Sequence, residues 1–141
     1  MHKIKKETNA DMGVKGAGAG IDIIEIKNVQ LLLLENVLQN QITQFQQEGI
    51  NDYQITILTD EQLAWDIKAY LPHSVQALDD FSIQSFPISY ISFATATNFK
   101  GLENDVIIFI HKGKNLLSNK NLSYVAMSRA KSILVIIYLV E

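Results

Sequence analysis

The stretch from Ile133 to Val140 reads Ile-Leu-Val-Ile-Ile-Tyr-Leu-Val, apolar at every position, and this run most narrows what the chain can fold into. A strand with one wet face alternates apolar and polar residues, whereas a continuous β-branched run needs cover on both faces. Such strands belong to parallel sheets with helices above and below, so Ser132 to Val140 is predicted to be a buried strand of a layered α/β domain. The run, like Leu31 to Leu34, is far shorter than the roughly 20 residues a bilayer requires. The N-terminus carries no apolar signal segment, so a cytoplasmic protein without a membrane partner is expected.

The preceding chain alternates between strand and helix patterns as that fold demands. Ile21 to Lys27 is β-branched and alternating. From Val29 to Gln47, Leu31, Leu34, Leu38, Ile42 and Phe45 recur every three or four residues along one helical face, with Gly49 as the stop. Tyr53 to Leu58 reads as a second strand. Thr59 and Gln62 could form a capping box for a helix whose apolar face is Leu63, Ile67, Tyr70 and Leu71, ended by Pro72. After an irregular stretch from His73 to Pro87, Ile88 to Ala94 and Asp105 to Ile110 read as strands and Asn119 to Lys131 as a helix. The expected architecture is α/β, doubly wound, with a mostly parallel sheet of about five strands flanked by helices.

Residues 1–20 are polar and then glycine-rich, which predicts a flexible tail or linker ahead of one domain over 21–141. A Gly-x-Gly run such as Gly16 to Gly20 also opens dinucleotide-binding turns, but those need a strand before and a helix after, and here polar residues precede it and a strand-like segment follows. The net charge of -3 offers no broad basic surface for nucleic acid, so any such contact must be local. There is no cysteine, and His2, His73 and His111 lack ligand spacing, so no metal site is expected.

Two segments stand out as carriers of chemistry. The first, Thr95-Ala96-Thr97-Asn98-Phe99-Lys100-Gly101-Leu102-Glu103-Asn104-Asp105, follows a predicted buried strand, where open α/β sheets place ligand sites. Free backbone N–H groups near Lys100 and Gly101 could face a phosphate there, with Glu103 available to ribose hydroxyls. An ordinary strand-to-strand loop explains the same residues equally well. The second is Leu122-Ser123-Tyr124-Val125-Ala126-Met127-Ser128-Arg129-Ala130-Lys131, a helix anchored by Leu122, Val125 and Met127. Arg129 is the single arginine of the chain, the other basic residues being lysines. Its planar guanidinium can grip phosphate oxygens in two places, although capping a helix C-terminus is the commoner fate of a lone arginine.

Thr95 through Glu103 resembles motif V of UvrD/Rep-like superfamily 1 DNA helicases, Thr-x-x-x-(Phe)-Lys-Gly-Leu-Glu. Tyr124 through Lys131 resembles their motif VI, Tyr-Val-Ala-x-Thr/Ser-Arg-Ala-Lys/Arg, and each is followed, as in that family, by an apolar strand. The resemblance covers Thr95 to Lys131 closely, and the Tyr53 to Leu71 unit more loosely. It implies a RecA-like second motor domain, the C-terminal lobe of an ATP-dependent DNA helicase or translocase. Arg129 would be the catalytic arginine finger. Lys100, Gly101, Glu103 and Ser128 would bind nucleotide, and Thr95, Thr97 and Asn98 would meet single-stranded DNA.

The resemblance has departures. Thr97 stands where relatives often carry histidine. The second phosphate-binding arginine, expected in an Asn-Tyr-Arg motif, has no counterpart here. Gly-x-x-x-x-Gly-Lys-Ser/Thr does not occur in the sequence and no apolar strand is expected to end in the paired acids that hold Mg²⁺, so ATP and Mg²⁺ are expected only in a two-lobed motor. By itself the chain, expected to be a monomer, should not hydrolyse ATP; its implied partner is the first motor domain. Two other classes stay open: a degenerate, non-catalytic helicase-like module that docks protein or DNA, and a dinucleotide-binding oxidoreductase domain.

Overall fold

The computed structural model describes residues 20–79, 82–113 and 120–140, the side chains of 120–123 excepted. The expected tail over 1–20 lies outside the described residues apart from Gly20. The elements are β1 (Asp22–Gln30), α1 (Leu34–Gln47), β2 (Ile55–Thr59), α2 (Glu61–Ile67), β3 (Val75–Ala77), β4 (Ile91–Thr95), β5 (Asn104–Lys112), α3 (Lys120–Arg129) and β6 (Ala130–Val140). The strands form one sheet in the order β1-β6-β5-β2-β4-β3, with every neighbouring pair parallel.

The architecture is thus the expected α/β one, but with six strands instead of about five and no antiparallel pair among the described residues. The additional strand is β3, which lies in the irregular stretch after His73. It is short, half-buried to exposed, and pairs only with β4 at the sheet edge, so it has no need of an apolar pattern.

Alternation along each strand feeds two cores. On β6, Ile133, Val135, Ile137 and Leu139 face one layer; Leu134, Ile136 and Tyr138 face the other. The first layer is covered by α1, through Leu34, Leu38, Ile42 and Phe45, and by α2, through Leu63 and Ile67. The second is covered by Phe99 of the β4–β5 connection and Ala126 of α3. Both faces of β6 are therefore buried, as its unbroken apolar run requires.

Two local expectations are corrected. Val29 and Gln30, assigned by periodicity to the first helix, extend β1 because they pair with Leu139 and Val140. A 3-10 turn over Leu31–Leu33 then leads into α1. Gly49, at φ +91°, ends that helix as expected, and the Ile50 N–H reaches back to the Phe45 carbonyl at 3.0 Å. The Thr59–Gln62 capping box does not form. Thr59 remains in the sheet, its hydroxyl donating to the Ile110 carbonyl at 2.9 Å and its own carbonyl accepting from Ala96 N–H at 2.8 Å. Asp60 takes over the cap, its Oδ1 accepting from Leu63 N–H at 2.9 Å.

The neighbours β2 and β4 send their outgoing chains to opposite sides. α2 leaves β2 for the first layer, while the 95–103 connection leaves β4 for the second. Divergence of that kind opens a crevice at the carboxyl ends of parallel strands, the usual place for a ligand. No helix among the described residues is long and apolar enough to cross a membrane.

Candidate functional site

The connection after β4 is a compact turn pinned from within. Phe99 is fully buried in the second layer and meets Phe86 edge to face, with ring centroids 5.2 Å apart. Around it the backbone closes on itself: Phe99 N–H donates to the Thr95 carbonyl (3.0 Å), Lys100 N–H to Thr97 (3.2 Å) and Leu102 N–H to Phe99 (3.0 Å). The Thr95 hydroxyl accepts from Asn98 N–H at 3.1 Å. The expectation that the Lys100 N–H points outward is therefore corrected, because the turn uses it internally. Gly101 N–H takes no part in that set. Gly101 itself sits at φ +81°, a conformation that L side chains rarely adopt, with open space where a Cβ would stand.

Arg129 is the last residue of α3, and Ala130 already belongs to β6. Ala126 is the fully buried anchor of this helix, with Val125 and Met127 half-buried beside it. Leu122, the third expected anchor, lies outside the described side chains. The Arg129 Nη1 donates to the Ser128 hydroxyl at 3.0 Å, and that hydroxyl donates to the Val125 carbonyl at 3.0 Å. The Nε of Arg129 is buried and has no hydrogen-bond partner. A desolvated donor left unpaired is costly, which sets this guanidinium apart from a freely solvated one.

Turn and helix end meet in one cleft of about 570 Å³, lined by Asp60, Glu61, Gln62, Ala96, Thr97, Lys100, Val125 and Arg129. Of the residues singled out in the sequence, Thr97, Lys100 and Arg129 converge there across more than thirty positions of chain. Gly101 and Glu103 are exposed farther along the turn and do not line it; neither do Thr95, Asn98 or Ser128. Sequence reasoning missed Asp60, Glu61 and Gln62. Asp60 and Glu61 directly follow the apolar strand β2, which corrects the expectation that no such strand ends in paired acids; Asp60 is used to cap α2. The cleft thus sets two cationic side chains against two carboxylates, one of them committed to capping α2.

Beside the cleft, the second layer holds a polar row. His111 stacks edge to face on Tyr138, with centroids 6.0 Å apart, and the Tyr138 hydroxyl donates to Glu25 Oε2. Lys27 Nζ lies 5.7 Å above the same ring. Burial holds the His111 pKa below its ordinary 6.5, partly offset by the negative charge of Asp60. Deeper in the same layer, Asn104 donates to Thr56 Oγ1 (2.9 Å) and to the Tyr53 carbonyl (3.0 Å), and Thr56 shares a hydroxyl bond with Ser92 (2.7 Å). Among the described residues no three histidine or carboxylate side chains cluster as a metal ion would need.

Comparison with known structures bears on the fold at this point. The chain is similar to the crystal structure of the C-terminal domain of a possible DNA helicase from Lactobacillus plantarum WCFS1, with a TM-score of 0.59 and 18% sequence identity. The likeness covers 82% of this chain and 72% of that one. The likeness is one of fold. Comparison with protein-family models and with curated proteins gives no match.

Proposed function

We propose that this chain is the C-terminal motor lobe of an ATP-dependent DNA helicase or translocase of the UvrD/Rep kind. In this reading it supplies Arg129 as an arginine finger to a nucleotide held mainly by the first motor domain. The observation that carries the reading is the convergence of Thr97, Lys100 and Arg129 in one cleft. A side chain at 129 on the far side of the sheet from the 95–103 turn would have left the mechanism without geometry.

The residues present fit part of an ATP site and not the whole. Arg129 and Lys100 can neutralise charge on a terminal phosphate, and a bound Mg²⁺ would supply further charge from the other lobe. An arginine brought across a cleft stabilises the charge that builds on the transferring phosphoryl group, an effect worth about three to five orders of magnitude in rate. Gly101 and Glu103 remain candidates for the nucleotide's far side, and Thr95, Thr97 and Asn98 for single-stranded DNA at the β4 end. In the two-lobed protein, Arg129→Ala is expected to leave ATP binding within about twofold and to lower turnover by at least about a thousandfold. Unchanged turnover would remove the finger role.

A second reading, a non-catalytic docking module, is favoured by one feature: Asp60 and Glu61 face the same cleft and oppose a polyphosphate. A two-lobed wild-type protein with no DNA-stimulated ATP hydrolysis would decide for it.

A further inference from the structure

The resemblance places Ser128 among nucleotide contacts, yet its hydroxyl is used within the helix end itself. It accepts from Arg129 Nη1 and donates to the Val125 carbonyl, so its one proton is directed and its lone pair faces the guanidinium. Ser128 does not line the cleft that Arg129 lines. We infer that Ser128 is a positioning residue: it holds Nη1 and so restrains the plane of the Arg129 guanidinium.

The chemistry of the guanidinium gives that contact a consequence. An arginine binds an oxyanion bidentately along one of two edges, the end-on pair Nη1 and Nη2 or the side-on pair Nε and Nη2. Ser128 engages one of the two Nη1 protons, and Nε is buried without a partner, so Nη2 and the second Nη1 proton are the donors left to meet an oxyanion. Rotation about Nε–Cζ interchanges Nη1 and Nη2, and the Ser128 hydroxyl opposes that rotation. Because a serine bonded to the carbonyl three residues back also loosens a helix end, the same side chain suits the point where α3 turns directly into β6.

This inference rests on Arg129 being the phosphate-directed group, but its test contains no nucleotide. As the single arginine of the chain, Arg129 gives one unambiguous guanidinium signal. Carbon-detected NMR on the full chain then measures how fast Nη1 and Nη2 interchange. Interchange is expected to be at least about tenfold slower than in free arginine, the effect of one hydrogen bond to a charged group. It should return to within about twofold of free arginine in Ser128→Ala, and be slow again in Ser128→Thr, which keeps the hydroxyl. Interchange as slow in Ser128→Ala as in the wild type would overturn the inference, as would free rotation in the wild type. A melting temperature lowered by Ser128→Ala with unchanged interchange would assign Ser128 to the helix end alone, which also overturns it. Slow interchange together with an inactive two-lobed ATPase would sink the proposed function and leave the positioning role standing.

Discussion

The two layers of this domain cover the same sheet by different means. The first lies under α1 and α2, whose leucines and isoleucines are buried, and most of its interior is hydrocarbon, with Gln41 and Thr59 as buried polar side chains. The second lies under a shorter helix and a turn, and admits Glu25, Thr56, Ser92 and Asn104 into its interior. Both layers are held by apolar burial, and the second adds a larger share of directed polar contacts. The lesson is a difference in composition: the first layer is more nearly pure hydrocarbon, while the second mixes hydrocarbon with buried hydrogen bonds.

Substitutions on either side can break that contrast. Leu38→Ala, in the first layer, should cost about 2–5 kcal/mol of unfolding free energy in denaturant titration, because α1 cannot collapse into the space. A loss below about 1 kcal/mol would mean that α1 is not tightly packed on the sheet. Tyr138→Phe in the second layer removes the hydroxyl from Glu25, whose Oε1 already lacks a hydrogen-bond partner. Its cost should be smaller, about 1–3 kcal/mol by the same titration, and a cost equal to that of Leu38→Ala would erase the distinction.

The smallest effect expected is a pH dependence from His111. Burial lowers its folded pKa, with Asp60 opposing the shift, so below the ordinary value of 6.5 the unfolded chain binds more protons than the folded one. Its contribution to stability is therefore level above that pH and declines as the pH falls below it. His111→Asn should flatten this part of the profile in thermal melts between pH 5 and 7.5, about the range in which histidine titrates. Parallel profiles for the two proteins would show that His111 does not sense its surroundings.

What the sequence disclosed tracks the reach of each interaction. The β6 run and the α1 periodicity are properties of contiguous residues, so burial on both faces of β6 and the Leu34–Leu38–Ile42–Phe45 stripe were legible. β3 was not, since a short edge strand carries no period. The cap at Asp60 was misplaced by one residue because Thr59 is an equally good capping type until the sheet claims its carbonyl and hydroxyl. Motif spacing pointed to Lys100 and Arg129. Asp60, Glu61 and Gln62 joined them only because parallel strand order brings the end of β2 beside the end of β4. The Glu25–Tyr138–His111 row needed cross-strand register, which no local pattern encodes.

The passage from α3 to β6 without an intervening loop has a mechanical side. Ala130, the residue after Arg129, is already paired with Asn104 in an interior strand flanked by β1 and β5. A displacement of the backbone at 129 would therefore be carried into the sheet.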